Sequence, residues 1–294
     1  MEETARALST VICVAGMPRS GTSLVTQLLH RCGLNVGPPE ELMPASINNT
    51  DGFWENLKFV RLNERLLAAN GGMWFAPPAT LHATPKITAN AKAIIARFDG
   101  QEPWGWKDPR NALTLPFWKE LLPSMKVLVC VRHPFETASS LAASTMIPRL
   151  WWPFYWPVTR RDSPLRLRES AWPTHKRFLD AMRSTLSFER RRELIRRFGV
   201  ELWRVYNTTI LAETNPTNRL VTHYEAVLAN PRAELQRILA FAEMDVSSDV
   251  LDEALRVVSP RMRHQRADAP LNAELARLYA ELCDEASTAR NISA

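Results

Sequence analysis

Residues 10–33 read TVICVAGMPRSGTSLVTQLLHRCG. The first six, Thr10 to Ala15, form a short β-branched apolar run, the pattern of a strand buried on both faces of a parallel sheet. From Thr22 onward Leu24, Val25, Leu28, Leu29 and Cys32 recur at helical spacing, and Gly33 closes the run. Between them lies GMPRSGTS, residues 16–23, with Gly16, Gly21 and Ser23 in the register G-x-x-x-x-G-[K]-[ST]. Strand, glycine loop and helix are the three parts of a phosphate-holding P-loop, whose amides and helix dipole face an anion. A glycine turn without a ligand is the alternative, and it leaves the order of those three parts unexplained.

One position departs from the pattern. Thr22 stands where a nucleotide-hydrolysing enzyme carries lysine, and Arg19 is the loop's only basic residue. No neighbouring apolar strand ends in an obvious acid that would hold magnesium. Amides around Ser20, Gly21, Thr22 and Ser23, two hydroxyls and one arginine suit a single 5′-phosphate that carries a good leaving group.

Three further strand-like runs lie downstream: Lys126 to Val131 (KVLVCV), Arg219 to Thr222 (RLVT), and a short strand end at Trp104-Gly-Trp106 leading into Lys107-Asp108-Pro109. Helical patterns separate them: one from Phe135, and an amphipathic one after His223-Tyr224-Glu225 through about Met244. Strands alternating with helices predict an α/β fold of the P-loop, three-layer type, a central parallel sheet flanked by helices. Ligands in such sheets sit at the carboxyl ends of the strands, and each polar motif follows a strand. No internal repeat or low-complexity linker divides the chain, so residues 1–294 read as one domain. Residues 142–196 read as an insertion, a Trp/Pro/Arg-rich stretch followed by one or two basic helices, and as a cover for the acceptor site.

GMPRSGTSL resembles the 5′-phosphosulfate loop of the sulfotransferases that use 3′-phosphoadenosine 5′-phosphosulfate (PAPS). RHPFETASS sets Arg132 and Ser140 eight apart, as are the Arg and Ser that hold the 3′-phosphate in that family. WKDPRNALTLPFW resembles the Lys-Asp-Pro segment of tyrosylprotein sulfotransferases, HYEAVLANP the Tyr-Glu stretch whose tyrosine approaches the adenine, and NNTDGFWEN and LWRVYN segments of bacterial members. The resemblance covers residues 11–141 and 200–245. It implies PAPS as sulfuryl donor, no metal, and donor contacts at Arg19, Ser20, Gly21, Thr22, Ser23, Arg132, Ser140 and Tyr224. It implies that Lys107 stabilises the leaving oxygen, with Arg19 also on the leaving side.

In-line sulfuryl transfer needs a base for the acceptor hydroxyl and cations for the leaving group. Asp108-Pro109 stands where cytosolic members carry a catalytic histidine. The base is then a glutamate after the first helix, either Glu55 in DGFWEN, whose apolar neighbours would raise its pKa, or Glu41 in GPPEELMP. Glu40 and His82 are weaker candidates. Either glutamate can also be read as a helix-start acid that only favours the dipole. Arg132 can be read as a salt-bridge residue and Lys107 as a solvated loop lysine. Arg261, Arg263 and Arg266 in SPRMRHQRADAP are candidates for a basic loop over the 3′-phosphate, or a solvated basic loop.

Composition excludes less than the motifs do. The four cysteines, Cys13, Cys32, Cys130 and Cys283, form no C-x-x-C pair, which argues against a disulfide framework or zinc site. MEETARALST is a poor signal peptide and no apolar run nears the ~18–20 residues that cross a bilayer, so the expected setting is cytoplasmic. The net charge of +6 is concentrated in residues 149–197, which hold 13 Lys/Arg against 5 Asp/Glu. Trp151, Trp152, Phe154, Tyr155 and Trp156 lie there beside Arg149, Arg160 and Arg161. That composition suits an anionic, aromatic or apolar hydroxyl acceptor (a carbohydrate, lipid or small metabolite), a peripheral membrane surface, or packing onto the domain. No nucleic-acid partner is expected, and oligomeric state is open. Two other functions fit less well: a P-loop small-molecule kinase, which Thr22 opposes, and a non-catalytic nucleotide- or membrane-binding protein.

Overall fold

The computed structural model describes residues 10–45, 52–101, 103–144, 188–259 and 270–291. Its centre is a four-stranded parallel sheet in the order β2-β1-β3-β4, built from β1 (Val11–Ala15), β2 (Trp104–Lys107), β3 (Lys126–Val131) and β4 (Arg219–His223). Between β1 and β2 run α1 (Thr22–Arg31), α2 (Leu57–Ala69) and α3 (Pro85–Ile95), and α4 (Asn111–Leu121) joins β2 to β3. Then follow α5 (Pro134–Ala143) and α6 (Phe188–Glu213). After β4 come α7 (Tyr224–Ala229), α8 (Pro231–Phe241), α9 (Ser248–Leu255) and α10 (Ala273–Asn291).

The strands are apolar on both faces because the sheet is covered on both. Val11, Cys13 and Ala15 of β1, with Val127, Val129 and Val131 of β3, face one core that includes Phe59, Trp106, Trp118 and Trp203. The intervening Ile12, Val14, Leu128 and Cys130 face the other, against Leu24, Val25 and Leu28 of α1 and Ile238 of α8. That two-residue alternation gives the three layers. The packing is close at β2. A Cβ on Gly105 would come within 2.4 Å of the Ile12 carbonyl.

Two boundaries differ from the sequence reading. The helix expected through Met244 is two helices, because Pro231 cannot continue the ladder beyond Asn230 and instead starts α8. The stretch expected as an insertion over 142–196 overlaps a helix at each end, and residues 145–187 lie outside the described residues. Ala143 still belongs to α5, and residues 188–196 are the opening turns of α6, whose Ile195 is buried in the core. Trp151, Trp152, Phe154, Tyr155, Trp156, Arg149, Arg160 and Arg161 lie outside the described residues, as do Arg261, Arg263 and Arg266. No described helix is long and apolar enough to cross a membrane.

Candidate active site

The strand order brings four chain segments to one edge of the sheet. The loop leaves β1, Lys107 ends β2, Arg132 follows β3, and His223-Tyr224 leaves β4. Pairing of Val14 with Lys107 sets the lysine at the root of the loop.

The loop is conformationally committed. Gly16 and Gly21 lie at φ +151° and +94°, where a Cβ would come within 2.6 Å of the Cys130 carbonyl and 2.5 Å of Tyr224 Cδ2 respectively. Arg19 takes φ +78° without being glycine, a conformation that costs about 1 kcal/mol and persists only where the surroundings impose it. No side chain caps α1, since Gly21 is its N-cap residue, so its first amides are left to another acceptor. Ser20 and Thr22 are buried. Ser23 Oγ donates to the Phe53 carbonyl at 3.3 Å, tying the loop to the segment that carries Glu55.

Two arginines converge on this loop. Arg19 Nε donates to Ser140 Oγ at 3.0 Å, and Arg132 lies over the Tyr224 ring, 4.7 Å from its centroid. Burial first, and then the Arg132 charge, pull the Arg19 guanidinium below its ordinary range. Among the described residues no carboxylate forms an ion pair with Arg19. Two cations thus crowd a largely buried place beside uncapped amides, an arrangement that an anion relieves. Tyr224 is placed against Gly21 and Arg132, at the seam between loop and α5.

Lys107 and Glu55 meet. Nζ lies 2.6 Å from Glu55 Oε1, with side chains 1% and 8% exposed. Burial lifts the Glu55 carboxyl above its ordinary range, against the pull of Lys107. Trp54, just before it, is another non-glycine residue at positive φ, +57°, so the chain is bent to present the carboxylate. Glu41 is placed elsewhere. Arg97 holds it at 2.7 and 3.1 Å, Lys58 lies 3.3 Å away, and its carboxyl sits below the usual range because of Arg97 first. Glu40 is exposed on the short turn Pro39–Glu41, and His82 is exposed and joined through its backbone to Asn70.

Side chains given no structural role in the sequence reading build the frame. Asn63 donates to Asp108 Oδ2 and Asn111 Oδ1 at 2.9 and 3.0 Å, while its own Oδ1 accepts from Thr114 and Trp118. Asp108 is fully buried and also takes Arg110 at 2.8 Å. This acid, the residue after β2, is therefore a structural anchor, its oxygens turned to Asn63 and Arg110. Around Arg132 stand Glu136, Glu225 and His223. Only Glu136, four residues after the arginine at the start of a helix, had a readable spacing. Among the described residues no three His, Cys, Asp or Glu side chains are grouped to hold a metal ion.

Comparison with known proteins bears on the family and the fold. The family described as the sulfotransferase family matches residues 12–155. No curated protein matches the sequence. Among solved structures, the chain is similar to sulfotransferase STF9 from Mycobacterium avium at 16% identity and a TM-score of 0.50, covering 94% of this chain and 76% of that one. It is similar to the sulfotransferase domain of the Synechococcus olefin synthase at 18% identity and a TM-score of 0.47, covering 96% and 98%. A mouse sulfotransferase solved with PAP gives 15% identity and a TM-score of 0.39, covering 97% and 88%. At such identities the first of these likenesses speaks to the fold alone.

Proposed function

We propose, on the premise that the chain belongs to the sulfotransferase family, that it moves a sulfuryl group from PAPS to the hydroxyl of an acceptor. The observation that carries the reading is the buried Lys107–Glu55 contact of 2.6 Å at the root of an uncapped helix start. A cation for a leaving oxygen and a base for an incoming hydroxyl are there side by side.

The residues present fit the donor. Loop amides from Ser20 to Ser23, with the Thr22 and Ser23 hydroxyls, would hold the 5′-phosphate. Arg132 and Ser140 would hold the 3′-phosphate, and Tyr224 would lie along the nucleoside. The donor supplies an activated sulfuryl group and a phosphate leaving group. Arg19 and Lys107 place positive charge where negative charge develops on the leaving side. Glu55 takes the acceptor's proton. In the structure Lys107 satisfies Glu55. A lysine drawn toward the leaving oxygen leaves that carboxylate desolvated and without its cation, which raises its proton affinity at the moment a base is needed. The acceptor is a hydroxyl compound of anionic, aromatic or apolar character, met by residues outside those described, and we place the whole reaction within one domain.

The test has two parts. Thermal shift with adenosine 3′,5′-bisphosphate (PAP) and with ATP-Mg separates this reading from a kinase, because only PAP should stabilise the protein. Labelled sulfate from PAPS should then appear in an acceptor from a lysate of the source organism. Glu55→Gln should abolish that transfer while Glu41→Gln retains it. Stabilisation by ATP-Mg alone, or full activity in Glu55→Gln, refutes the assignment.

A further inference from the structure

Arg132 is held by more acid than an anion site calls for. Its Nε donates to Glu136 Oε2 at 3.1 Å and lies 3.8 Å from Glu225 Oε1. Glu225 in turn lies 2.6 Å from His223 Nδ1, and His223 Nε2 meets the Tyr279 hydroxyl at 2.8 Å. Arg132 and Glu136 are both nearly inaccessible, with side chains 5% and 6% exposed. Both carboxylates address the Nε edge. The terminal nitrogens, the fork that takes two oxygens of a phosphate, donate to no acceptor among the described residues.

This arrangement orients the fork and also sets two acids close to whatever the fork receives. Like charges a few ångströms apart cannot all stay ionised in a poorly hydrated place. The other charged or titratable groups facing the pair are Arg19 on the loop, His133 just before α5, Tyr224 on α7, and Tyr279 and Cys283 on α10. Burial and then the Glu225 carboxyl lift Glu136 above the ordinary carboxylate range, so Glu136 is the acid nearest to accepting a proton. His223 cannot be the acceptor near neutral pH. Burial lowers its affinity, but Cys283 and Glu225 outweigh burial and raise it to about 9, so it already carries its proton.

We propose that Glu136 and Glu225 are the positioning residues of Arg132, and that a phosphate dianion taken by its terminal fork draws a proton onto this carboxylate pair. The inference rests on the reading of Arg132 as receiver of the donor's 3′-phosphate.

Calorimetry of PAP binding at pH 7.0, in two non-phosphate buffers of different ionisation enthalpy, should show net uptake of about half a proton or more per ligand. The ligand's own phosphate, with a second pKa of about 6, is mostly dianionic there and contributes only a small release. Glu136→Gln keeps an oxygen for Arg132 Nε and should bind PAP with no uptake. Glu225→Gln is the second variant and should reduce it. A purely structural role for these acids would change stability without changing proton linkage. Wild-type binding without uptake, or undiminished uptake in both variants, overturns the inference and leaves the donor reading standing. Absence of any PAP binding by the wild type overturns the donor reading, and the inference falls with it.

Discussion

Lys107→Met replaces the cation of the buried pair with an apolar chain of similar length. Nζ lies 2.6 Å from Glu55 Oε1, and neither side chain is more than 8% exposed. Breaking such a pair leaves an uncompensated buried charge and costs about 3–5 kcal/mol. Glu55 limits that cost by taking a proton. For a carboxyl with an unfolded pKa of about 4.3, staying protonated at pH 7 costs about 3.7 kcal/mol, so the loss there should be about 3–4 kcal/mol. The sign of the pH dependence follows. In the variant the folded-state pKa of Glu55 is raised above its unfolded value, so the folded state binds the extra proton. Stability is therefore fully present below about pH 4.3 and is lost as pH rises, by ~1.4 kcal/mol per unit, until the folded-state pKa is reached. Urea unfolding at several values between about pH 5 and 7 should show the gap between wild type and variant widening over that range. Adding Glu55→Gln should remove the slope and recover most of the stability. A deficit that does not change with pH would mean that Lys107 contributes only packing, and the reasoning would be refuted. Turnover should be lost in the single variant with PAP affinity little changed, since the lysine contact strengthens only as the leaving oxygen gains charge.

Arg132→Ala should weaken PAP binding by ~10–150-fold, the worth of hydrogen bonds to a charged group, and Ser140→Ala by less; unchanged affinity in titration calorimetry removes Arg132 from the anion site. Gly21→Ala must place a Cβ 2.5 Å from Tyr224 Cδ2 at φ +94°, so it should cost ~1 kcal/mol or more in melting experiments and reduce PAP affinity, with Tyr224→Ala relieving part of the stability loss; a neutral Gly21→Ala contradicts the described loop. The His223–Glu225 pair should stabilise the fold most between about pH 4.5 and 6.5. The imidazole, raised to about 9, loses its contribution as pH rises toward that value. Burial alone would lift Glu225, but His223 outweighs it and holds the carboxyl low, so its contribution is lost as pH falls. His223→Gln should flatten the alkaline limb, worth at most ~3 kcal/mol, in urea titrations. Trp151→Ala with Trp152→Ala should raise the acceptor's KM in sulfate-transfer assays while PAP affinity persists; a raised PAP Kd with unchanged KM would count against acceptor binding by that segment.

Local signals in the sequence carried the fold further than they carried the site. Lys126–Val131 was readable to the residue because its apolar stretch, fit for a strand covered on both faces, lies between Lys126 and Arg132. Trp104–Lys107 was readable only as a strand end, since four residues with a central glycine give little periodicity. The lysine accordingly looked like a loop residue, whereas it is the last rung of β2. The break at Asn230-Pro231 was missed, although proline's missing donor marks it. The choice between Glu41 and Glu55 was legible only in part, because both follow α1 and only the Phe53-Trp54 pair before Glu55 favoured it. What separates them is contact with partners distant in sequence, Arg97 for one and Lys107 for the other. Glu225 and His223 were hidden for the same reason: they reach Arg132 from the end of β4 and the start of α7, beside the neighbouring strand β3.

Gly199 of α6 is so close to α5 that a Cβ there would sit 3.0 Å from Ala138 Cβ. Trp203 Nε1, further along α6, bonds the Arg132 carbonyl before α5 begins. The two helices are therefore antiparallel, and the chain departs at Ser144 and re-enters at Phe188 on the same end of a packed seam. Any stretch spliced between those points starts and finishes at a fixed, paired base. Closing a longer or shorter stretch onto such a base costs only about 0.6 kcal/mol per doubling of length. Residues 145–187 can thus be treated as a cassette, replaceable in homologue shuffling while the loop, Lys107–Glu55 and Arg132 keep their places, so that novelty in what is modified does not require reinvention of the chemistry.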